Sequence, residues 1–213
     1  MLSHYLLELA GLMAVFSLAI VSPGADTAMV IRQSLSLGRR AGIFTAVGIG
    51  TSLLLHMTYT ILGLGLIVSQ SLFLLALLKW AGAAYLIYLG ISALREGAPV
   101  LPDVHEQQRT QSPNAGLKSF ALGFATNALN PKPILFFLSL FSTLVSHETP
   151  ALVKASYGMV MASCLIAWFV LVACFLTTPQ VRAAFSRVGL WLNRVTGAVF
   201  IAFGVRLALS RAD

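Results

Sequence analysis

Charged residues are scarce in this chain of 213 residues, since only 10% are Asp, Glu, Lys or Arg whereas 58% are hydrophobic. An average soluble domain is about one quarter charged, so this chain has too few charges to cover a water-facing surface. Its two cysteines, Cys164 and Cys174, lie in one apolar run without a metal-ligand partner, which gives neither a disulfide framework nor a metal site. The sequence therefore indicates an integral membrane protein.

Enzyme signatures are missing as well. There is no GxSxG, no HExxH, no phosphate-binding loop and no complete GxGxxG. The net charge of +7 comes from Lys and Arg residues in short connectors, which make no basic face interleaved with aromatic residues. We therefore predict no catalytic residues, no cofactor, no metal and no nucleic-acid partner.

The apolar residues fall into six segments, each reaching or exceeding the roughly 20 residues that a helix needs to cross a bilayer. A stretch rich in Pro, Gln and charge separates the third segment from the fourth and is typical of a solvated linker. We predict an all-α integral membrane fold of two three-helix repeats, 1–96 and 117–213, joined by a polar cytoplasmic linker, 97–116. The segments lie near 5–36, 41–68, 71–95, 117–146, 151–177 and 190–210.

Positive charge predicts the orientation. Most Lys and Arg residues lie in the connectors after the first, third and fifth segments. Cytoplasmic loops carry such an excess, so both termini are predicted to lie outside the cytoplasm.

The two halves resemble each other in order. Residues 78–94 of the third segment align with the stretch 192–209 of the sixth, and this alignment pairs Leu78 with Leu192 and Gly90 with Gly204. The first helix of each half is interrupted by proline, at Ser22-Pro23-Gly24 and at Asn130-Pro131-Lys132-Pro133. Because each half has three spans, the second enters the membrane from the opposite side, which is an inverted repeat typical of transporters.

Opposite charges accompany the two interruptions. Asp26 follows Pro23-Gly24 and can cap the second half-helix, while Lys132 lies between two prolines. A carboxylate and a cation there suit the ammonium and carboxylate of an amino acid, with Asn127 and Asn130 as further hydrogen-bonding groups. The alternative is that Asp26 only caps a helix near the interface and Lys132 extends to the lipid headgroups.

A histidine within the second segment is a candidate proton relay, together with Asp26. His56 carries an imidazole, which titrates near neutral pH. The alternative is a histidine that only hydrogen-bonds to a neighbouring helix.

Three ordered motifs resemble the LysE/RhtB superfamily of bacterial amino-acid exporters. They are SPGADTAMVIRQSLSLGRRAGIFTAVGIG, LKWAGAAYLIYLGISALR and NALNPKPILFF, and the match covers nearly the whole chain. The resemblance implies an exporter of amino acids, driven by the proton gradient, in a bacterial cytoplasmic membrane. Ala25 replaces the usual second proline of the first motif. The residues that match the family's signatures are Pro23, Gly24, Asp26, Asn127, Asn130, Pro131 and Lys132.

Within that superfamily the final stretch is most similar to the threonine and homoserine exporters, which implies a neutral substrate and antiport against protons. Two other classes remain open. One is a non-transporting membrane component, such as an assembly factor or a channel subunit, and the other is an intramembrane enzyme that uses His56 or a buried serine. The sequence leaves open which amino acid is carried, and it allows a homo-oligomer.

Overall fold

The computed structural model describes residues 2–70, 72–96, 115–175 and 178–209, and all secondary structure in those ranges is helical. The predicted linker, 97–116, lies outside the described residues except for its last two. The helices are α1 (Leu2–Val21), α2 (Ala25–Leu37), α3 (Arg39–Gln70), α4 (Leu72–Arg95), α5 (Ala115–Ala128), α6 (Pro131–Leu144), α7 (Ala151–Phe175) and α8 (Pro179–Leu209).

Four stretches of helix in the described ranges are long and apolar enough to cross a membrane, and a shorter apolar helix covers Lys132–Leu144. Large apolar side chains also point outward, with Leu7 and Leu152 exposed by 72% and 83%. Lipid rather than water suits such a surface. The prediction of an all-helical membrane protein is therefore confirmed. The four spans are Ser3–Val21, Arg39–Gly63, Ala151–Phe175 and Arg187–Leu209.

Pro23 and Gly24 lie between α1 and α2. Proline has no N–H to continue the helix, and Gly24 is the extended N-cap residue of α2, without a side-chain cap. Asp26, expected as a possible cap, instead lies within the first turn of α2. The partial positive charge of a helix N-terminus favours a carboxylate at that position.

The second interruption, between α5 and α6, falls at Leu129 and Asn130, before the prolines rather than among them. The side-chain oxygen of Asn130 accepts a hydrogen bond of 3.0 Å from the backbone N–H of Lys132 and so caps α6. Pro131 is the first residue of that helix, where an N–H would have no helical partner anyway. This Asn-Pro pair therefore starts a helix.

Two glycines let α3 and α5 pack backbone to backbone. A Cβ atom at Gly48 would collide with the carbonyl oxygen of Phe120, and one at Gly123 with that of Thr45. One helical turn beyond Gly123, the side chain of Asn127 therefore lies against α3.

The helices α4 and α8 also approach closely at glycines. A Cβ at Gly90 would lie 2.6 Å from the carbonyl oxygen of Gly197 and 2.6 Å from Cγ1 of Ile201. A Cβ at Gly204 would lie 2.8 Å from the carbonyl oxygen of Ala83 and 2.7 Å from Cγ1 of Ile87. Neither position has room for a side chain while these helices stay in place.

Candidate functional site

A cavity of about 320 Å³ lies where α1 ends and where α2 and α6 begin. This volume is at the lower end of the roughly 300–1,000 Å³ typical of small-molecule sites. The side chain of Pro131, the seventh predicted site residue, is outside the described part of the structure. The cavity is lined by the other six, which are Pro23, Gly24, Asp26, Asn127, Asn130 and Lys132.

Asn127 is the centre of a buried hydrogen-bond network. Its Nδ2 donates to Oδ2 of Asp26 at 2.7 Å, which links α5 to α2. Its Oδ1 accepts from Oγ of Ser52 at 2.5 Å and from Nε2 of His56 at 3.0 Å, both on α3. The amide oxygen is thus fully occupied, and only the second N–H remains for a ligand.

His56 lies behind Asn127 and does not line the cavity. Its Nε2 faces only acceptors, Oδ1 and the backbone oxygen of Asn127, so we assign the proton to Nε2. Its Nδ1 pairs with the hydroxyl of Tyr59, and its ring stacks on Phe137 with centroids 6.4 Å apart. The amide of Asn127 separates His56 from Asp26, so a proton can pass directly between them only after the network rearranges.

Two opposite charges line the cavity without pairing. The Oδ1 atom of Asp26 is buried and has no hydrogen-bond partner. Lys132 is half-buried, and among the described residues no ion pair within 4 Å includes either of them. A buried carboxylate oxygen without a partner is unfavourable, so a hydrogen bond from a donor that reaches this atom would be favourable.

An aromatic wall, made of Phe16, Phe136, Phe137, Phe169 and Phe200, forms the other side of the cavity. Ring centroids lie 5.8 Å apart for Phe16 and Phe137, 5.3 Å for Phe136 and Phe137, and 5.4 Å for Phe136 and Phe200. Sequence reasoning missed this wall because its members come from four helices. The one local signal was the adjacent pair Phe136-Phe137 after the prolines.

The cavity extends toward one end of the molecule. It is also lined by Glu96, an exposed residue directly after α4. A second cavity, of about 300 Å³, shares Glu96 and Lys132 with the first and continues along Tyr85 and Tyr88. On α1 the lining residues are confined to the second half, from Phe16 onward.

The end of α1 is tied to α8 by two hydrogen bonds that sequence reasoning also missed. Oγ of Ser22 donates to Oδ1 of Asn193 at 3.0 Å, and Oγ1 of Thr196 donates to the backbone oxygen of Leu18 at 3.2 Å. These bonds hold the Pro23–Gly24 break at the cavity.

Comparison with known proteins gives matches along almost the whole chain. The sequence model of a family described as LysE type translocator matches residues 17–211. The chain is 29% identical to a threonine efflux protein of Escherichia coli (strain K12), over 91% of this chain and 93% of that one. It is 30% identical to a homoserine/homoserine lactone efflux protein of Salmonella typhimurium, over 92% of this chain and 93% of that one. No solved structure matches.

Proposed function

Because this chain belongs to the LysE family of translocators, we propose that it is a secondary exporter of neutral amino acids in the bacterial cytoplasmic membrane. Family membership confirms the resemblance found in the sequence, and it confirms that the chain is a transporter rather than an enzyme. Relatives named for threonine and for homoserine efflux support a small neutral substrate.

The unpaired charges of the cavity are the observation that carries this proposal. The free Oδ1 of Asp26 can accept from the α-ammonium group of an amino acid, and Lys132 can pair with its carboxylate. The aromatic wall then faces the side chain, where it favours an uncharged group over a basic one. The two family signatures thus recognise the two charges that all zwitterionic amino acids share.

We place this site at mid-membrane depth in a bundle of six spans. In that arrangement α1 with α2, and α5 with α6, each form one interrupted span, and both termini lie outside the cytoplasm. Ser52, which contacts Asn127, lies near the middle of the span Arg39–Gly63. An irregular backbone is tolerated at such a depth where it lines a cavity, as the residues around Gly24 do.

Reciprocal contacts between α4 and α8 support the inverted repeat. The alignment that pairs Gly90 with Gly204 also pairs Ala83 with Gly197 and Ile87 with Ile201. Gly90 contacts Gly197 and Ile201, and Gly204 contacts Ala83 and Ile87. When the two halves are exchanged by this alignment, the contacts of Gly90 therefore become those of Gly204, as expected for a two-fold axis between these helices.

We expect Gly90→Ala and Gly204→Ala to lower the thermal stability of the detergent-solubilised protein by similar amounts. Each added methyl group meets a backbone oxygen within 3 Å, and such overpacking costs about 1–3 kcal/mol. The matched control is Gly63→Ala, because a Cβ atom there meets nothing within 4 Å. A large loss for one glycine and none for the other would contradict the reciprocal packing.

Competition for one carboxylate provides a mechanism for antiport. Asp26 can hold either a proton or the substrate's ammonium group, so a cycle that exchanges them across the membrane exports the amino acid as a proton enters. One three-helix half moving against the other would expose the site to each side in turn. The cavity extends toward Glu96, so with the following linker in the cytoplasm, as proposed, this state would face the cytoplasm.

Transport into inverted membrane vesicles tests the proposed function. The lumen of such vesicles corresponds to the outside of the cell, so an acidic lumen should drive accumulation of labelled threonine or homoserine. Collapsing the gradient with a protonophore should abolish the accumulation, and vesicles without the protein provide the background. If no neutral amino acid in a panel accumulates, the proposed function is wrong.

A further inference from the structure

A second polar site lies far from the cavity, around the buried side chain of Glu8 on α1. Glu8 is only 5% exposed. Its Oε1 accepts from the backbone N–H of Ser146 at 2.7 Å and from Oγ1 of Thr149 at 2.9 Å. Its Oε2 accepts from the hydroxyl of Tyr157 at 2.9 Å, and Nε2 of His4 lies 3.2 Å from Oε1.

These partners belong to three separate parts of the chain. Glu8 and His4 lie on α1, Ser146 and Thr149 lie in the connection between α6 and α7, and Tyr157 lies on α7. Tyr157 also contacts the backbone oxygen of Tyr5 at 3.0 Å. We call His4, Glu8, Ser146, Thr149 and Tyr157 the Glu8 cluster. Its hydrogen bonds join α1 to the second half of the molecule.

The Glu8 cluster and the cavity lie at opposite ends of α1. At 1.5 Å per residue the distance along the helix from Glu8 to Val21 is about 20 Å. Between them Leu12 and Val15 are 0% and 1% exposed, and α1 contributes no cavity-lining residue before Phe16. The molecule is thus closed where the Glu8 cluster lies and has its cavity toward Glu96.

We propose that the Glu8 cluster is the outer gate contact of the transport cycle, a latch that must open before substrate leaves. This inference rests on the proposed export function, because an outer gate has a role only in a transporter. A purely structural carboxylate would give the same hydrogen bonds, but its loss would not change whether the cavity is accessible from outside the cell.

Loss of the carboxylate of Glu8 is expected to open the latch. In the closed state Glu8 accepts from the backbone N–H of Ser146 and from the hydroxyls of Thr149 and Tyr157. The Glu8→Gln substitution removes the negative charge that strengthens these bonds and replaces one acceptor oxygen with an NH₂ donor, so it weakens the contact.

Two other groups that can carry charge lie around Glu8. They are His4 on α1, which is 60% exposed, and Lys154 on α7, whose Nζ donates to the backbone oxygen of His147 at 3.3 Å. Because both stay in place in the Glu8→Gln variant, that variant assigns the response to Glu8.

Accessibility of the cavity from outside tests the latch. Ala19, which lines both cavities, is replaced by cysteine in a Cys164→Ala, Cys174→Ala background, and intact cells receive a membrane-impermeant thiol reagent. Glu8→Gln should raise the labelling rate about tenfold, because a lost hydrogen bond to a charged group shifts a two-state equilibrium by at least that factor. Tyr157→Phe, which removes one donor, should raise it less.

Ser156→Ala is the matched control, since Ser156 is exposed beside Tyr157 and bonds only to its own helix. Glu8→Gln protein that is folded, by thermal stability, yet labels as slowly as its parent would overturn the latch. Export by the unmodified protein is measured separately. A failed transport assay would reject the proposed function, whereas the labelling rates test only the latch.

Discussion

Replacing Asp26 by asparagine should abolish export of neutral amino acids while leaving the protein folded. Loss of one partner of a buried charge pair costs about 3–5 kcal/mol, or roughly two to four orders of magnitude in substrate affinity. The measurements are export in inverted vesicles and binding of labelled substrate to the purified protein. Stability should change little, because the oxygen that asparagine keeps can still accept from Nδ2 of Asn127 and its NH₂ group replaces an oxygen that already has no partner.

The pH dependence of binding provides a second readout for Asp26. If protons and the substrate's ammonium group compete for this carboxylate, lowering the pH should weaken substrate binding to the unmodified protein. Residual binding to Asp26→Asn should not respond in that way. Glu148→Gln makes the same chemical change at an exposed residue outside the cavity and should export at the normal rate. An Asp26→Asn variant that exports normally would remove this residue from the substrate site.

Much of this site could be predicted from local sequence. Prolines and glycines mark where helices stop because their backbone chemistry forbids or relaxes helical geometry. Asp26 and Lys132 indicate a functional site because charges are costly in apolar segments. These arguments need only neighbouring residues, and both charged residues line the same cavity.

The partners of Asn127 could not be predicted in this way. Ser52 and His56 are one helical turn apart on α3, but which helix they face depends on the close approach of α5 at Gly48 and Gly123. Sequence reasoning treated Asn127 as a neutral ligand for the substrate. The observed bonds add a positioning role, because Asn127 orients Asp26 and keeps a single N–H for a ligand.

Replacing Asn127 by leucine should therefore be more damaging than the loss of one ligand. The change keeps the side-chain volume similar but leaves Oδ2 of Asp26 without its partner, leaves Oγ of Ser52 only the backbone oxygen of Ile49, and weakens the anchoring of His56. An unsatisfied buried group costs about 1–3 kcal/mol, so thermal stability and export should both fall sharply. The matched control, Thr126→Val, lies on the same helix and loses only a bond to its own backbone.

A double-mutant cycle separates the two roles of Asn127. If it acts by holding Asp26, the loss of stability caused by Asn127→Leu should be smaller in an Asp26→Asn background, because the carboxylate it would strand is already gone. If Asn127 were an independent ligand, the two losses in substrate affinity would add. Additive effects on both stability and binding would contradict the positioning role. Coupling in stability would show that Asn127 holds the carboxylate in place before any substrate arrives.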